Sequence, residues 1–156
     1  LNLYLQILAM LIVTTALVAL ANVMLAALPQ VGGAPLTLER MLGWIFSPLV
    51  WLLGVPWSQA ATAGELMGIK LALYELVAYL RLAAMPAGSL DPRSTQIMVY
   101  ALCGFANLGS VGILIGGMNA LIPERRDEVV SLAPKALAAG TMASALSGAM
   151  IGLLPL

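Results

Sequence analysis

Histidine is absent from this chain, and cysteine occurs once, at Cys103. The first absence excludes His-dependent catalytic triads and His-ligated metal sites. The second excludes an intrachain disulfide and leaves packing as the expected role of Cys103. Charge is equally scarce: seven basic and seven acidic residues, 9% of the chain, sum to zero, and no basic run is present to meet nucleic acid. Neither Gly-x-Ser-x-Gly nor a phosphate-binding loop occurs, so an enzyme is not expected. The first segment has no basic n-region and no small-residue cleavage site, so it is not read as a secretory signal. The chain begins with leucine and has 156 residues; these features point to a fragment or trimmed piece of a longer multi-span protein.

What is present is apolar. Hydrophobic residues make up 62% of the chain and the mean hydropathy is +1.01, far from the balance of a soluble domain. The charges cluster at 39–40, 65–93 and 124–135, leaving charge-free runs at 1–38, 41–64, 94–123 and 136–156. A span needs about 20 apolar residues, so several runs qualify. The expected class is an all-α integral membrane protein, multi-pass, with the lipid bilayer as one partner.

Residues 1–30 read as a scaffold transmembrane helix closed by Pro29 and the Gly32-Gly33-Ala34-Pro35 turn. Thr15 and Asn22 lie seven apart on one face, and helix packing is favoured there over a substrate role. Residues 37–55 read as an interfacial helix with Thr37 as N-cap and Glu39 in the first turn. Trp44, Trp51 and Trp57 crowd into fourteen residues, the signature of a headgroup-level belt, while Pro48 and Pro56 discourage one straight crossing. The alternative is a short kinked span.

Residues 57–85 carry the informative charges. With Ser58 as the expected N-cap, the segment runs without proline to Ala84. At roughly 100° per residue, Glu65, Lys70 and Glu75 point near 0°, 140° and 280°, so no single stripe hides them from lipid. Exposing one to hydrocarbon costs about 2.5–3.5 kcal/mol on insertion scales. Two shorter helices of roughly 13 residues, meeting near 71–74 as a re-entrant hairpin, remove that problem by placing helix ends and charges in a protein-lined cavity. Lys70, expected to be buried near Glu65 or Glu75, and Tyr74 are assigned as structural residues at the hairpin tip.

Residues 93–121 contain Gly104, Asn107, Gly109, Ser110 and Gly112 at their centre. Each glycine costs about 1 kcal/mol relative to alanine inside a helix, so a discontinuous helix broken at 105–109 is expected. A glycine-rich packing face is the other reading, and Gly112, Gly116 and Ala120 fit it. Residues 126–154 form a final span with Gly140, Ser144, Gly148 and Gly152 at four-residue spacing, a ridge for close helix approach rather than a site.

The stretch Gly68-Ile-Lys-Leu-Ala-Leu-Tyr-Glu-Leu-Val-Ala78, followed by Tyr79, resembles the concentrative nucleoside transporter signature Gly/Ala-x-Lys-x-x-x-Asn-Glu-Phe-Val-Ala-aromatic. The stretch Cys103-Gly-Phe-Ala-Asn-Leu-Gly-Ser110 resembles the same family's discontinuous substrate-binding helix, and Pro123-Glu-Arg-Arg126 follows in family order. The resemblance implies the C-terminal half of the transport core of a nucleoside symporter, driven by sodium or protons, in a homotrimer in the plasma (cell inner) membrane. It further implies that Glu75 accepts hydrogen bonds from ribose hydroxyls, that Asn107 and Ser110 complete the ribose contacts, and that Phe105 flanks the base. It assigns no cofactor, no metal site in this chain and no nucleic-acid partner; the coupling Na+ or H+ is expected in the absent N-terminal half. The family's Asn-Glu-Phe is Tyr74-Glu75-Leu76 here, and tyrosine favours neither a cap nor left-handed geometry as asparagine does. Another carrier of small polar solutes and a non-transporting membrane scaffold are the alternative functions.

Overall fold

The computed structural model describes residues 2–154. Its first helix, α1 (Asn2–Ala26), is an almost uninterrupted apolar run. Beyond it Gly32 and Gly33 take φ of +65° and +75°, a backbone region that glycine enters freely and side-chain-bearing residues do not. Arg40 ties the turn down: its guanidinium donates to the carbonyls of Val31, Ala34 and Pro35 and lies 5.8 Å over the Trp44 ring.

Helix α2 (Leu38–Leu52) starts at Thr37, whose Oγ1 accepts from the Arg40 amide. Asn22 of α1 braces the same corner with both ends of its amide. Oδ1 accepts from the Leu38 N–H at 2.8 Å, and Nδ2 donates to both Glu39 oxygens at 3.0 Å. Thr15, one polar turn pair earlier on that face, lies 3.1 Å from the Tyr74 hydroxyl, so the polar face of α1 meets protein. Pro48 sits inside α2 without ending it. At 15 residues the helix is roughly 22 Å long, short of a crossing.

Helix α3 (Trp57–Ala72) lies tightly along α2. A Cβ on Gly43 would stand 3.0 Å from the Glu65 backbone, and one on Gly68 would stand 2.5 Å from the Glu39 carbonyl. Small residues therefore set this approach. The N-cap differs from expectation: the helix begins at Trp57, with Pro56 in the cap position and no side-chain cap. The Gln59 amide closes the first turn on the Pro56 carbonyl, so Ser58 lies already within it.

Two residues, Leu73 and Tyr74, separate α3 from α4 (Glu75–Ala83). The arms are 16 and 9 residues rather than two of equal length. They fold back on each other, with Arg81 and Glu65 3.7 Å apart across them. Helix α5 (Pro92–Leu102) is capped by Asp91, whose Oδ1 accepts from the Ser94 N–H at 2.7 Å. Gln59 exchanges two hydrogen bonds with Asp91, fixing the start of α3 to the start of α5. The Ser94 N–H, with the Gln59 amide, holds the Asp91 carboxyl below its ordinary range.

Residues 103–107 are non-helical, and α6 (Leu108–Leu121) follows. The interval lies two residues upstream of the expected 105–109 because Asn107 caps α6 and the helix resumes directly after it. Cys103 is exposed in this interval rather than packed. A 3-10 turn (Pro123–Arg125) leads into α7 (Arg126–Gly152), which accommodates Pro134.

The core is formed by Val50, Val55, Ala63, Leu66, Met67, Ile97, Met98, Ala101 and Leu102, each at most 1% exposed. It lies between α3, α5 and the end of α2. The small-residue ridge of α7 closes on α5: Cβ atoms on Gly148 and Gly152 would stand 2.8 Å from Ala101 Cβ and 3.2 Å from Ile97. Arg93 at the start of α5 donates to the Gly152 carbonyl at the end of α7. Gly116 meets nothing within 4 Å, so the packing face expected along Gly112, Gly116 and Ala120 is unpartnered there. Among the described residues one helical run, Pro123–Gly152, is long and apolar enough to cross a membrane, with shorter apolar helices at Ile12–Ala26 and Leu108–Leu121.

Candidate functional site

The two interruptions, at 73–74 and 103–107, come together with their helix ends sorted by polarity. Lys70, in the last turn of α3, donates from Nζ to the Ala101 carbonyl in the last turn of α5 at 2.9 Å, and to Ser144 Oγ on α7 at 2.6 Å. It is 1% exposed. The last four carbonyls of a helix have no partner within it, and a C-terminus favours a cation. One ammonium thus serves the negative ends of two half-helices.

Five residues on, the polarity reverses. Glu75 opens α4 and Asn107 caps α6, so two positive helix N-termini converge. Asn107 Oδ1 accepts from the Ser110 N–H at 2.7 Å, and Asn107 Nδ2 donates to Glu75 Oε2 at 3.3 Å. A carboxylate is the favoured side chain at such a point. Asn107 is buried and Glu75 half-buried. Among the described residues Asn107 is the one side chain that donates to the Glu75 carboxylate. A carboxylate offers about four lone-pair sites, so Glu75 keeps room for further donors such as a pair of adjacent hydroxyls.

Phe105, Asn107 and Ser110 line a cavity of about 120 Å³ with Val111 and Leu114 of α6 and with α7. That volume is below the 300 Å³ or so at the low end of small-molecule sites, so these residues form one wall rather than an enclosure. The Phe105 ring is 79% exposed and free to be covered by a flat partner. Of the sequence-assigned residues, Glu75, Asn107 and Ser110 are joined by hydrogen bonds, Phe105 shares the cavity wall, and Lys70 and Tyr74 stand elsewhere. Among the described residues no cluster of three or more Cys, Asp and Glu is placed to hold a metal ion.

Lys70 is buried and within electrostatic reach of Glu75, as expected, but its hydrogen bonds go to the orphan carbonyl of α5 and the Ser144 hydroxyl, while Glu65 pairs with Arg81. Tyr74 does not need left-handed geometry: it sits extended at φ −159°, ψ 167°, and its hydroxyl reaches Thr15, so its bulk goes to the α1 side. Sequence reasoning missed Ser144, read only as part of a packing ridge, and Tyr79, whose hydroxyl donates to the Val99 carbonyl at 2.6 Å. No local signal distinguishes Ser144 from other small ridge residues; Tyr79 was visible only as the aromatic that ends the signature.

An all-helical chain in which two interrupted helices oppose like ends around a carboxylate and a buried lysine has the layout of a secondary-transporter core. Comparison makes the class specific. Residues 1–152 match the family model described as "Na+ dependent nucleoside transporter C-terminus", and the chain belongs to that family. It is 44% identical over 118 residues to a putative nucleoside permease, NupX, of Escherichia coli, covering 74% of this chain and 28% of that protein. It is 45% identical over 122 residues to the nucleoside permease NupC of Helicobacter pylori, covering 76% and 29%. A solved structure of a CNTnw variant in an intermediate state superposes with a TM-score of 0.87 at 39% identity, over 97% of this chain and 38% of that one. The chain thus spans about three-tenths to two-fifths of the length of these relatives.

Proposed function

We propose that this chain is the C-terminal core of an ion-coupled nucleoside symporter and supplies the ribose-facing wall of its substrate site. The observation that carries the reading is the Glu75–Asn107 pair at the junction of two helix N-termini. A carboxylate with spare acceptor capacity beside an amide suits the vicinal diol of a ribose, and an exposed ring at Phe105 suits a heterocyclic base. Ser110 extends the polar wall from the first turn of α6. The single carboxylate at this point disfavours an anionic solute.

In this reading 57–85 is a re-entrant hairpin and 93–121 a discontinuous helix in a plasma (cell inner) membrane, with 37–55 at the interface. The exposed Trp44, Trp51 and Trp57 support the interfacial placement. Coupling Na+ or H+ binds in the part of the protein outside this chain, and the working unit is a homotrimer.

The test is Glu75→Gln in the full-length protein. Hydrogen bonds to a charged group are worth about 1.5–3 kcal/mol, so ribonucleosides should bind roughly 10- to 150-fold more weakly, by calorimetry in detergent with folding checked by thermal unfolding. Parent-like affinity in a folded Glu75→Gln protein removes Glu75 as the ribose acceptor.

A further inference from the structure

Ser144 is the least conspicuous member of the junction, and its contacts are the most specific. Its hydroxyl donates to the Thr141 carbonyl at 3.0 Å within α7 and accepts from Lys70 Nζ at 2.6 Å. With the hydrogen committed to Thr141, the oxygen lone pairs face the ammonium. Ser144 is 6% exposed and Lys70 1%, so water does not substitute for either. The interval 103–107 abuts the same point: a Cβ on Gly104 would stand 2.9 Å from Ser144 Cβ and 3.5 Å from Lys70 Nζ. Lys70, Ala101 and Ser144 therefore pin three separate elements at one place.

The spacers from this pin to the site are short. Lys70 and Glu75 are separated by the two-residue turn at Leu73 and Tyr74 plus the helix ends, and Ala101 and Asn107 by the interval 103–107. A shift of Lys70 relative to Ala101 has little slack in which to dissipate before it reaches the Glu75–Asn107 contact, already long at 3.3 Å.

We propose that Ser144 is a positioning residue for substrate binding: by holding Lys70 it sets the register of the α3–α4 turn against the interval 103–107, and through that register the geometry of the Glu75–Asn107 pair. The inference rests on the reading of Glu75 as ribose acceptor. Ser144 touches no substrate. It acts through Lys70, so its removal changes how well the pair is placed for ribose hydroxyls.

The experiment uses the full-length protein in detergent, with uridine and adenosine each compared with its 2′-deoxy analogue by calorimetry, and thermal unfolding followed alongside. Ser144→Ala should weaken the ribonucleosides by roughly 3- to 10-fold, the equivalent of one net hydrogen bond, and the 2′-deoxy analogues by less. Ser147→Ala is the control. That hydroxyl is exposed and, among the described residues, bonds only within α7, to the Ala143 carbonyl, so affinity should stay at the parent value. Equal loss for ribo- and deoxynucleosides, parent-like affinity for Ser144→Ala, or the same loss for Ser147→Ala each overturns the positioning role. A parent protein that binds neither nucleoside overturns instead the reading of the site, and this inference falls with it.

Discussion

The Lys70 end and the Glu75 end of the junction use the same physics with opposite sign and different exposure. At Lys70 two helix C-termini share one cation, two of its three donors are taken by Ala101 and Ser144, and the side chain is 1% exposed. At Glu75 two helix N-termini share one anion, a single long contact to Asn107 uses part of its capacity, and the residue is half-buried. A buried charge with most of its donors committed to protein holds structure together. A half-buried charge whose partners are incomplete has something left to offer a ligand. Chemistry alone does not separate the two roles; the count of satisfied bonds and the access to the site do.

The strongest way to break this comparison is Lys70→Ala. It leaves the Ala101 carbonyl without its partner, which costs about 1–3 kcal/mol, and opens a cavity in a packed region, where truncations cost about 2–5 kcal/mol. Relief of lysine desolvation offsets part of this, so a net loss of about 3 kcal/mol is expected, read as a lowered unfolding temperature or folding yield of the full-length protein. Normal stability with abolished nucleoside binding would reverse the roles assigned to the two ends.

Packing behind each end sharpens the contrast. Gly148 lies against α5, where an added Cβ would stand 2.8 Å from Ala101 Cβ and 2.9 Å from the Ile97 carbonyl. Gly148→Ala should therefore cost about 1–3 kcal/mol by overpacking. Gly116 on α6 meets open space, and Gly116→Ala should stabilise by up to about 1 kcal/mol through helix propensity. Destabilisation by Gly116→Ala in thermal unfolding would mean that the rest of the protein covers this face.

The smallest effect concerns the two N-caps. Asp91 and Asn107 each accept from an amide three residues on at 2.7 Å, but the outer cap is ionisable and the inner one is not. Asp91→Ala should cost about 1 kcal/mol at pH 7. Because the Asp91 carboxyl is held below its ordinary range, its contribution is present above the unfolded value of about 3.9 and is lost as pH falls through the lower folded value. The difference in unfolding temperature between parent and Asp91→Ala should thus shrink under acid. A difference that stays constant with pH would show that the cap acts without its charge.

Much of this was legible in the sequence because it is local. Thr37 three residues before Arg40 and the change of direction among Glu65, Lys70 and Glu75 are properties of residues close in sequence. Interruptions are expected near 71–74 and at 105–109; the helices end at Ala72 and Leu102 and resume at Glu75 and Leu108. The partners of Lys70 were not readable. Glu65 and Glu75 are near in sequence and of opposite charge, whereas the true acceptors are a backbone carbonyl 31 residues away and a serine 74 residues away. A carbonyl has no sequence signature, and a serine in a small-residue ridge looks like a packing residue.

Composition and patterning dictated an apolar, helical chain whose few interior charges require an enclosed place and whose helices are interrupted near those charges. These follow from composition and from the cost of charge and glycine within a helix. Tertiary packing set the C-termini of α3 and α5, and the N-termini of α4 and α6, against each other, so that Lys70 meets a carbonyl and a hydroxyl and Glu75 meets an amide. A helix end exposes unsatisfied backbone groups whose partner is whichever element packs across them, and that choice is made by the approach of α3, α5 and α7.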